Sequence, residues 1–201
     1  MHKGKCELLF NPKEIIYKKG SPLTHMACIT DGMAKVSIES SQNKSIIVKL
    51  LKPAELLDAP GFAVDFRHHY TITAITPIRA CLFDVQILKE IIRTNSNFAF
   101  EFIRYINSST IYLMNRFESL TQKNMPGRIA ETLLYLSEEV YCKHRFQTTL
   151  NRQDIAELSA MTKESAIRIL KDFKVDGIID FNLNSFQILL PEQLKTISRN
   201  G

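Results

Sequence analysis

The chain has 201 residues, 45% hydrophobic and 23% charged, and its 26 basic and 21 acidic side chains leave a net charge of +5. Only 7 glycines and 7 prolines are present, which excludes collagen-like and disordered compositions. No run of roughly 18 uninterrupted apolar residues occurs, and the start MHKGKCELLF lacks the apolar stretch of a secretory signal, so a cytoplasmic protein of one or two domains without membrane attachment is expected.

The first part of the chain reads as short strands with period-two alternation: Ile15 to Tyr17, Met26 to Thr30, Lys35 to Ile38, Ile46 to Leu51, Tyr70 to Thr76 and Ala80 to Phe83. Asp31-Gly32 between the second and third is a hairpin signal, because glycine tolerates the positive φ of a tight turn. Several strands at this spacing predict a sandwich or barrel. Cys6, Cys28, Cys81 and Cys142 form no C-x-x-C pair, so neither a disulfide framework nor a structural zinc site is suggested.

At Asp84 the period changes. Val85, Leu88, Ile91 and Ile92 fit a short helix capped by the aspartate, and Asn95-Ser96-Asn97 offers caps for a longer one. Along that helix Ala99, Ile103, Ile106, Thr110, Leu113, Phe117 and Leu120 recur at steps of 4, 3, 4, 3, 4 and 3, the a/d seam of a helix that meets a second copy. Phe98, Phe102, Ile111 and Met114 supply apolar surface for a simultaneous contact with the β domain.

Pro126 follows Asn124-Met125 and marks the first turn of a new helix carrying Ile129, Leu133, Leu136 and Val140 on one face. After an extended piece at Thr148 to Leu150, Asn151-Arg152-Gln153-Asp154 reads as a capping box. It opens a helix with Ile155, Ala156 and Leu158. A turn at Ala160-Met161 leads to Thr162, cap of a helix running through Ile167, Leu170 and Phe173 to Gly177. Ile178 to Phe181, Asn182-Leu183-Asn184 and Phe186 to Leu190 then form a hairpin, which completes a winged helix-turn-helix. The domains are therefore 1–93, 94–125 and 126–201.

In such a motif the second helix enters the major groove by its N-terminal end. Here that end is Thr162-Lys163-Glu164-Ser165-Ala166-Ile167-Arg168. Arg168 can bond guanine bidentately, and Glu164, four residues earlier on the same face, can accept from the cytosine amine. Lys163 can contact a base or phosphate, while Thr162, Ser165 and Arg152 suit phosphates; Gln153 and Lys171 flank them. Glu followed by Arg at i,i+4 is also a common surface ion pair worth a few tenths of a kcal/mol, but its place ahead of a wing favours base reading.

These residues resemble the cyclic-AMP receptor and fumarate-nitrate regulator (CRP/FNR) superfamily of bacterial transcription factors. The likeness rests on Ile29-Thr30-Asp31-Gly32-Met33-Ala34-Lys35-Val36, the long helix, Gly127-Arg128-Ile129-Ala130, Asn151 to Ala156, and above all Thr162 to Lys171. Lys163 stands where the family often has arginine and lacks the bidentate fork. The resemblance implies an α+β architecture: an antiparallel β-roll of the cyclic-nucleotide-binding, jelly-roll type, a long dimerisation helix and a C-terminal winged helix-turn-helix. It also implies a homodimer on a two-fold related site in double-stranded DNA, acting through RNA polymerase, with Asn124-Met125-Pro126 as hinge.

Departures concern the effector. Nucleotide-binding members carry Gly-Glu and then Arg-Ser or Arg-Thr, because a glutamate holds the ribose and an arginine the cyclic phosphate. The matching stretch here includes Asp58, Ala59, Gly61 and Phe62, then Arg67, His68 and His69, and the long helix presents Leu113 and Met114 where those members offer hydroxyls. Cyclic AMP is thus disfavoured, although Arg67 leaves room for another small anionic effector. The single Cys6 near the start does not make the cysteine cluster of an iron–sulfur sensor. Haem has formal ligands in His2, Cys6, His25, His68 and His69 but little support.

Two other readings compete. A β-roll dimer that binds a ligand but not DNA is countered by the intact Glu164 and Arg168. A cupin-type metalloenzyme is countered by His68-His69, which as neighbours on a strand point to opposite faces. Neither an activated nucleophile nor a P-loop is visible, so no enzymatic activity is expected. By region the charges are 13 basic and 9 acidic over Met1 to Arg93, 3 and 2 over Thr94 to Met125, and 10 and 10 over Pro126 to Gly201. The DNA-reading part is formally neutral, so its basic character is local to one helix, with Lys163, Arg168, Lys171 and Lys174.

Overall fold

Period-two segments build two sheets in the first part of the computed structural model, which describes residues 6–39, 45–57 and 60–201. β1 (Cys6–Phe10), β7 (Ile78–Asp84) and β3 (His25–Asp31) form one, in the order β1-β7-β3. β2 (Ile15–Tyr17), β6 (Thr71–Ala74), β4 (Ala34–Glu39) and β5 (Ser45–Leu51) form the other, in the order β2-β6-β4-β5. Ala27, Ile29, Ala34, Val36, Leu51, Leu57, Ile72, Ala74, Ile78 and Ala80 are the buried halves of the alternation and make one core. This is the antiparallel β-roll expected from the resemblance.

Two details differ from the expectation. β1 lies where no strand is predicted; it pairs with β7, Leu8 opposite Ala80. Asp31-Gly32 does not close a hairpin, because β3 pairs with β7 while β4 pairs with β6. Gly32 turns the chain from one sheet to the other at φ +93°, and a Cβ there would sit 2.2 Å from the Pro77 carbonyl oxygen. Glycine is required by close backbone approach as well as by φ.

α1 (Val85–Thr94) begins at Asp84, whose carboxylate accepts from the Gln86 N–H. α2 (Ser96–Gln122) follows, with Asn95 accepting from the Phe98 N–H at 3.0 Å. Phe102 is buried in a second core with Leu23, Met26, Val85 and Leu88, and Phe98 packs against it. Ile111 and Met114, expected on the same face, are exposed. Tyrosines take their place: Tyr105 Oη donates to the Leu56 carbonyl at 3.1 Å and Tyr112 Oη to that of Val48 at 3.2 Å.

The chain divides into two compact units, 1–44 with 48–114, and 45–47 with 115–201. In the second, α3 (Met125–Leu134) starts at Asn124, whose side chain accepts from the Gly127 N–H, and continues as one π-helical turn, Tyr135–Val140. α4 (Arg152–Leu158) and α5 (Lys163–Val175) pack on each other and on α3. β9 (Ile179–Asn182) and β10 (Ser185–Ile188) form the wing hairpin, joined by β8 (Arg145–Gln147) in the order β8-β10-β9. The extended piece expected at Thr148 to Leu150 therefore lies just ahead, at Arg145 to Gln147. A last helix, α6 (Pro191–Asn200), buries Leu194 and Ser198 and packs on α3. No helix is predicted there from the sequence, although Pro191 suits a first helical turn.

Candidate nucleic-acid interface

The helix-turn-helix is shaped by its caps. Asn151 accepts from the Gln153 and Asp154 N–H groups, and Asp154 accepts in return from the Asn151 N–H at 3.0 Å, a complete capping box. Between α4 and α5, Ala160 adopts φ +47°, and its carbonyl accepts from the Arg128 guanidinium at 3.3 Å. A buried contact between the Thr132 and Ser159 hydroxyls, 2.9 Å, ties α3 to the same turn. Thr162 caps α5 by accepting from the Ser165 N–H. At the far end Gly177, at φ +69°, and Ile178 donate to the Lys174 and Phe173 carbonyls, a Schellman stop.

Helix α5 buries Ala166, Ile169, Leu170 and Phe173 and leaves Lys163, Glu164, Arg168 and Lys171 exposed on the outside. Ser165 is half-buried beside the cap. Glu164 and Arg168 form no ion pair with each other or with any described residue. Both are therefore free to meet another molecule.

Three residues of the expected set are engaged elsewhere. Arg152 does not project outward: its Nη2 donates to the Leu183 carbonyl at 2.9 Å and the Asn182 carbonyl at 3.5 Å. Its guanidinium lies 5.0 Å from the Phe181 ring centre and 4.8 Å from that of Phe186, and this burial pushes its pKa down. Gln153 is exposed but bonds Glu157 at 3.1 Å. Lys174, counted with the basic residues of α5, pairs with Asp180 at 2.7 Å and donates to the Phe181 carbonyl.

In the β domain, Asp58 and Ala59 lie outside the described residues. Gly61 is buried and leaves no space for a Cβ, which would meet the Arg67 carbonyl oxygen at 2.0 Å. Phe62 packs edge-on against Phe66 and Phe102. Arg67 Nη1 donates to the Gly20 carbonyl at 2.9 Å. His68 is buried and stacks on Tyr17, ring centres 4.1 Å apart, its Nδ1 without a partner. His69 bonds Asp65 at 3.1 Å, and that contact holds the carboxyl below its ordinary range. Of the formal haem ligands, His2 and the Cys6 side chain lie outside the described residues. His25 contacts Thr24 at 3.0 Å. Among the described residues no three His, Cys, Asp or Glu side chains gather to hold a metal, and no helix is long and apolar enough to cross a membrane.

On α2, Ile103, Ile106, Thr110, Leu113 and Phe117 of the expected seam are exposed, Phe117 by 70%, while Ala99 and Leu120 are half-buried.

Two family models match the chain: the cyclic nucleotide-binding domain over residues 7–95 and the Crp-like helix-turn-helix domain over residues 127–197. A CRP-like cAMP-activated global transcriptional regulator of Mycobacterium tuberculosis is 21% identical, over 92% of this chain and 84% of its own. A global nitrogen regulator of Nostoc sp. is 20% identical, over 92% and 86%. Among solved structures, FixK2 from Bradyrhizobium japonicum matches with a TM-score of 0.87 and 17% identity, covering 96% of each chain, a likeness of fold.

Proposed function

The chain belongs to the CRP/FNR superfamily of transcription regulators, and from that premise we propose that it is a homodimer whose two α5 helices read a two-fold related DNA site. It is a DNA-binding regulator and not an enzyme. The observation that carries the finer reading is the pair Glu164 and Arg168, exposed, four residues apart and unpaired at the capped end of α5. Arg168 recognises guanine, Glu164 the cytosine amine, and Lys163, Lys171, Thr162 and Ser165 take phosphates. The exposed α2 seam serves the second copy, since two recognition helices must lie about 34 Å apart to enter successive grooves. RNA polymerase is the partner through which the bound dimer acts, in the compartment that holds the DNA.

The test is selection of duplexes by the purified protein. Arg168→Ala is expected to cost about 1–3 kcal/mol and to relax preference at one position in each half-site. Equal preference before and after the change overturns the role of Arg168.

The β domain takes an effector other than cyclic AMP, a small anion being the class its basic excess suits. Support comes from the cassette stretch, where Arg67 is turned to the Gly20 carbonyl and Leu113 and Met114 stand where hydroxyls serve the base. Titration calorimetry with cyclic AMP is expected to show no heat of binding.

A further inference from the structure

Two cysteines far apart in the sequence meet on the sheet β1-β7-β3. Cys28 of β3 and Cys81 of β7 stand directly opposite each other in the antiparallel register, so their side chains leave the same face of the sheet. Both are thiols, and both are partly exposed. The backbone also fixes their separation. Ile29 donates to the Glu55 carbonyl and Leu57 to that of Ala27, which turns the polar groups of Ala27 and Ile29 away from β7 and those of Cys28 toward it. Cys28 and Cys81 are therefore a hydrogen-bonded pair, with Cα atoms about 5.5 Å apart. That spacing is one a disulfide spans, while Cβ atoms about 5 Å apart on such a pair must draw together by roughly 1 Å to reach the usual disulfide value. A bridge here keeps both strands in their sheet but forms under strain. Strained, accessible disulfides are the readily reduced ones.

The neighbourhood gives the pair something to act on. One row along the same face, Met26 stands opposite Phe83; Met26 is buried with Val85 and Leu88 of α1 and Phe102 of α2, and Phe83 packs against that cluster. In the other direction Thr30 and Arg79 are exposed. The cysteines thus stand at the rim of the helix-covered area, open to a small solute and one residue pair from the seat of α2. Leu56, whose carbonyl accepts from Tyr105 of α2, is bridged to Cys28 on the side away from β7. The other two cysteines do not share this arrangement: Cys6 stands opposite Leu82, and Cys142 belongs to the other compact unit.

We propose that Cys28 and Cys81 are a dithiol site that low-molecular-weight disulfides oxidise reversibly, and that the resulting bridge resets the seat of α2. One cysteine thiolate attacks the small disulfide, breaks its S–S bond and expels one small thiolate, which leaves a mixed disulfide. The thiolate of the opposite cysteine then attacks the protein sulfur of that bond and expels the second small thiolate. The protons given up by the two cysteines end on the two released thiols, and the electron pair lost by the cysteines is gained by the reagent. Neither step involves DNA, so the site stands apart from the DNA-reading function.

The test uses the full-length wild-type protein, with oxidised glutathione as the probe. After treatment, alkylation of the remaining thiols and peptide mass mapping are expected to show one internal bridge, Cys28 to Cys81, with Cys6 and Cys142 outside it. Dithiothreitol is expected to remove that bridge from the folded protein. Cys28→Ser and Cys81→Ser are each expected to keep one glutathione on the remaining cysteine of the pair, since nothing opposite displaces it. Unmodified thiols, lasting glutathione adducts on both cysteines of the wild type, or a bridge to Cys6 instead overturn the site. The mapping requires no variant, so it decides the matter whether or not a serine variant folds. For the effect on α2, amide exchange of residues 96–105 is expected to differ at least about threefold between the oxidised and reduced wild type and to return to its first value with dithiothreitol. Equal exchange in the two forms overturns that effect.

Discussion

His68 shows how one residue can be legible by type and opaque by role. Adjacent to His69, it reads as half of a solvated loop pair or as a formal ligand. In the structure the two part: His69 bonds Asp65 at the surface, and His68 is buried face to face with Tyr17. Burial pushes the His68 pKa below its ordinary value of 6.5, because desolvation disfavours the imidazolium. The unfolded chain therefore takes up this proton first as pH falls. The stability that His68 contributes is complete above about pH 6.5 and is lost progressively below it. His68→Phe keeps a ring against Tyr17 and removes the proton site. Melting temperatures between pH 7.5 and 5 are expected to fall more steeply for the wild type than for this variant; parallel curves would remove His68 as the cause. Gly32 makes a related point. The Asp-Gly pair revealed the demand for positive φ, but the partners of β3 and β4 are set by β7 and β6, more than thirty residues away in sequence, beyond the reach of a local signal.

Elements were readable where apolar spacing and a cap agreed. Asp84, Asn95, Asn151 and Thr162 all cap helices as their sequence context suggested, because each places a side-chain oxygen ahead of free N–H groups. Less readable were elements whose reason lies in a partner. β1 is held by β7, β8 by β10, and α6 by α3, and a short segment with few apolar residues does not announce such pairing. The two faces of α2 were half legible. The face toward the β domain relies on Tyr105 and Tyr112, whose hydroxyls bond backbone carbonyls, and tyrosine spacing alone does not mark a packed face in the sequence. The turn of the helix-turn-helix offers a quantitative check. Ala160 holds φ +47°, a region that costs a residue with a Cβ about 1–2 kcal/mol. Ala160→Gly removes that strain and gives back part of the gain through the freer unfolded chain. The net expectation is stabilisation by about 0.5 kcal/mol with DNA affinity unchanged, measured by urea unfolding and duplex titration. Destabilisation by that amount or more would show that the turn holds alanine without strain.

For the whole molecule, the division of α2 between the two compact units, at Met114/Asn115, bears on how binding is switched. The last turns of α2 belong with the DNA-reading unit: Ser119 donates to Glu131 of α3, Lys123 pairs with the same carboxylate at 3.1 Å and bonds Ser198 of α6, and Arg116 approaches Glu131 at 3.7 Å. These contacts span Asn124-Met125-Pro126, the hinge expected from the sequence, and brace it. In the homodimer proposed above, a formally neutral DNA-reading part gives little nonspecific attraction to phosphate, so affinity depends on holding two copies of α5 at once. Within that proposal the requirement falls on the exposed stripe of α2. Phe117 is the best probe because its side chain is 70% exposed and makes no aromatic contact among the described residues, so a polar replacement leaves the folded chain intact. In sedimentation at micromolar concentration the wild type is expected at twice 23.1 kDa and Phe117→Asp at 23.1 kDa. The aspartate variant is expected to keep the wild-type melting behaviour of a dilute sample and to lose at least about a hundredfold in affinity for the full two-fold site, since linked half-sites gain two or more orders of magnitude over single ones. Affinity for an isolated half-site should be the same in both proteins. A variant that remains dimeric and binds the full site normally would show that some other surface joins the two copies.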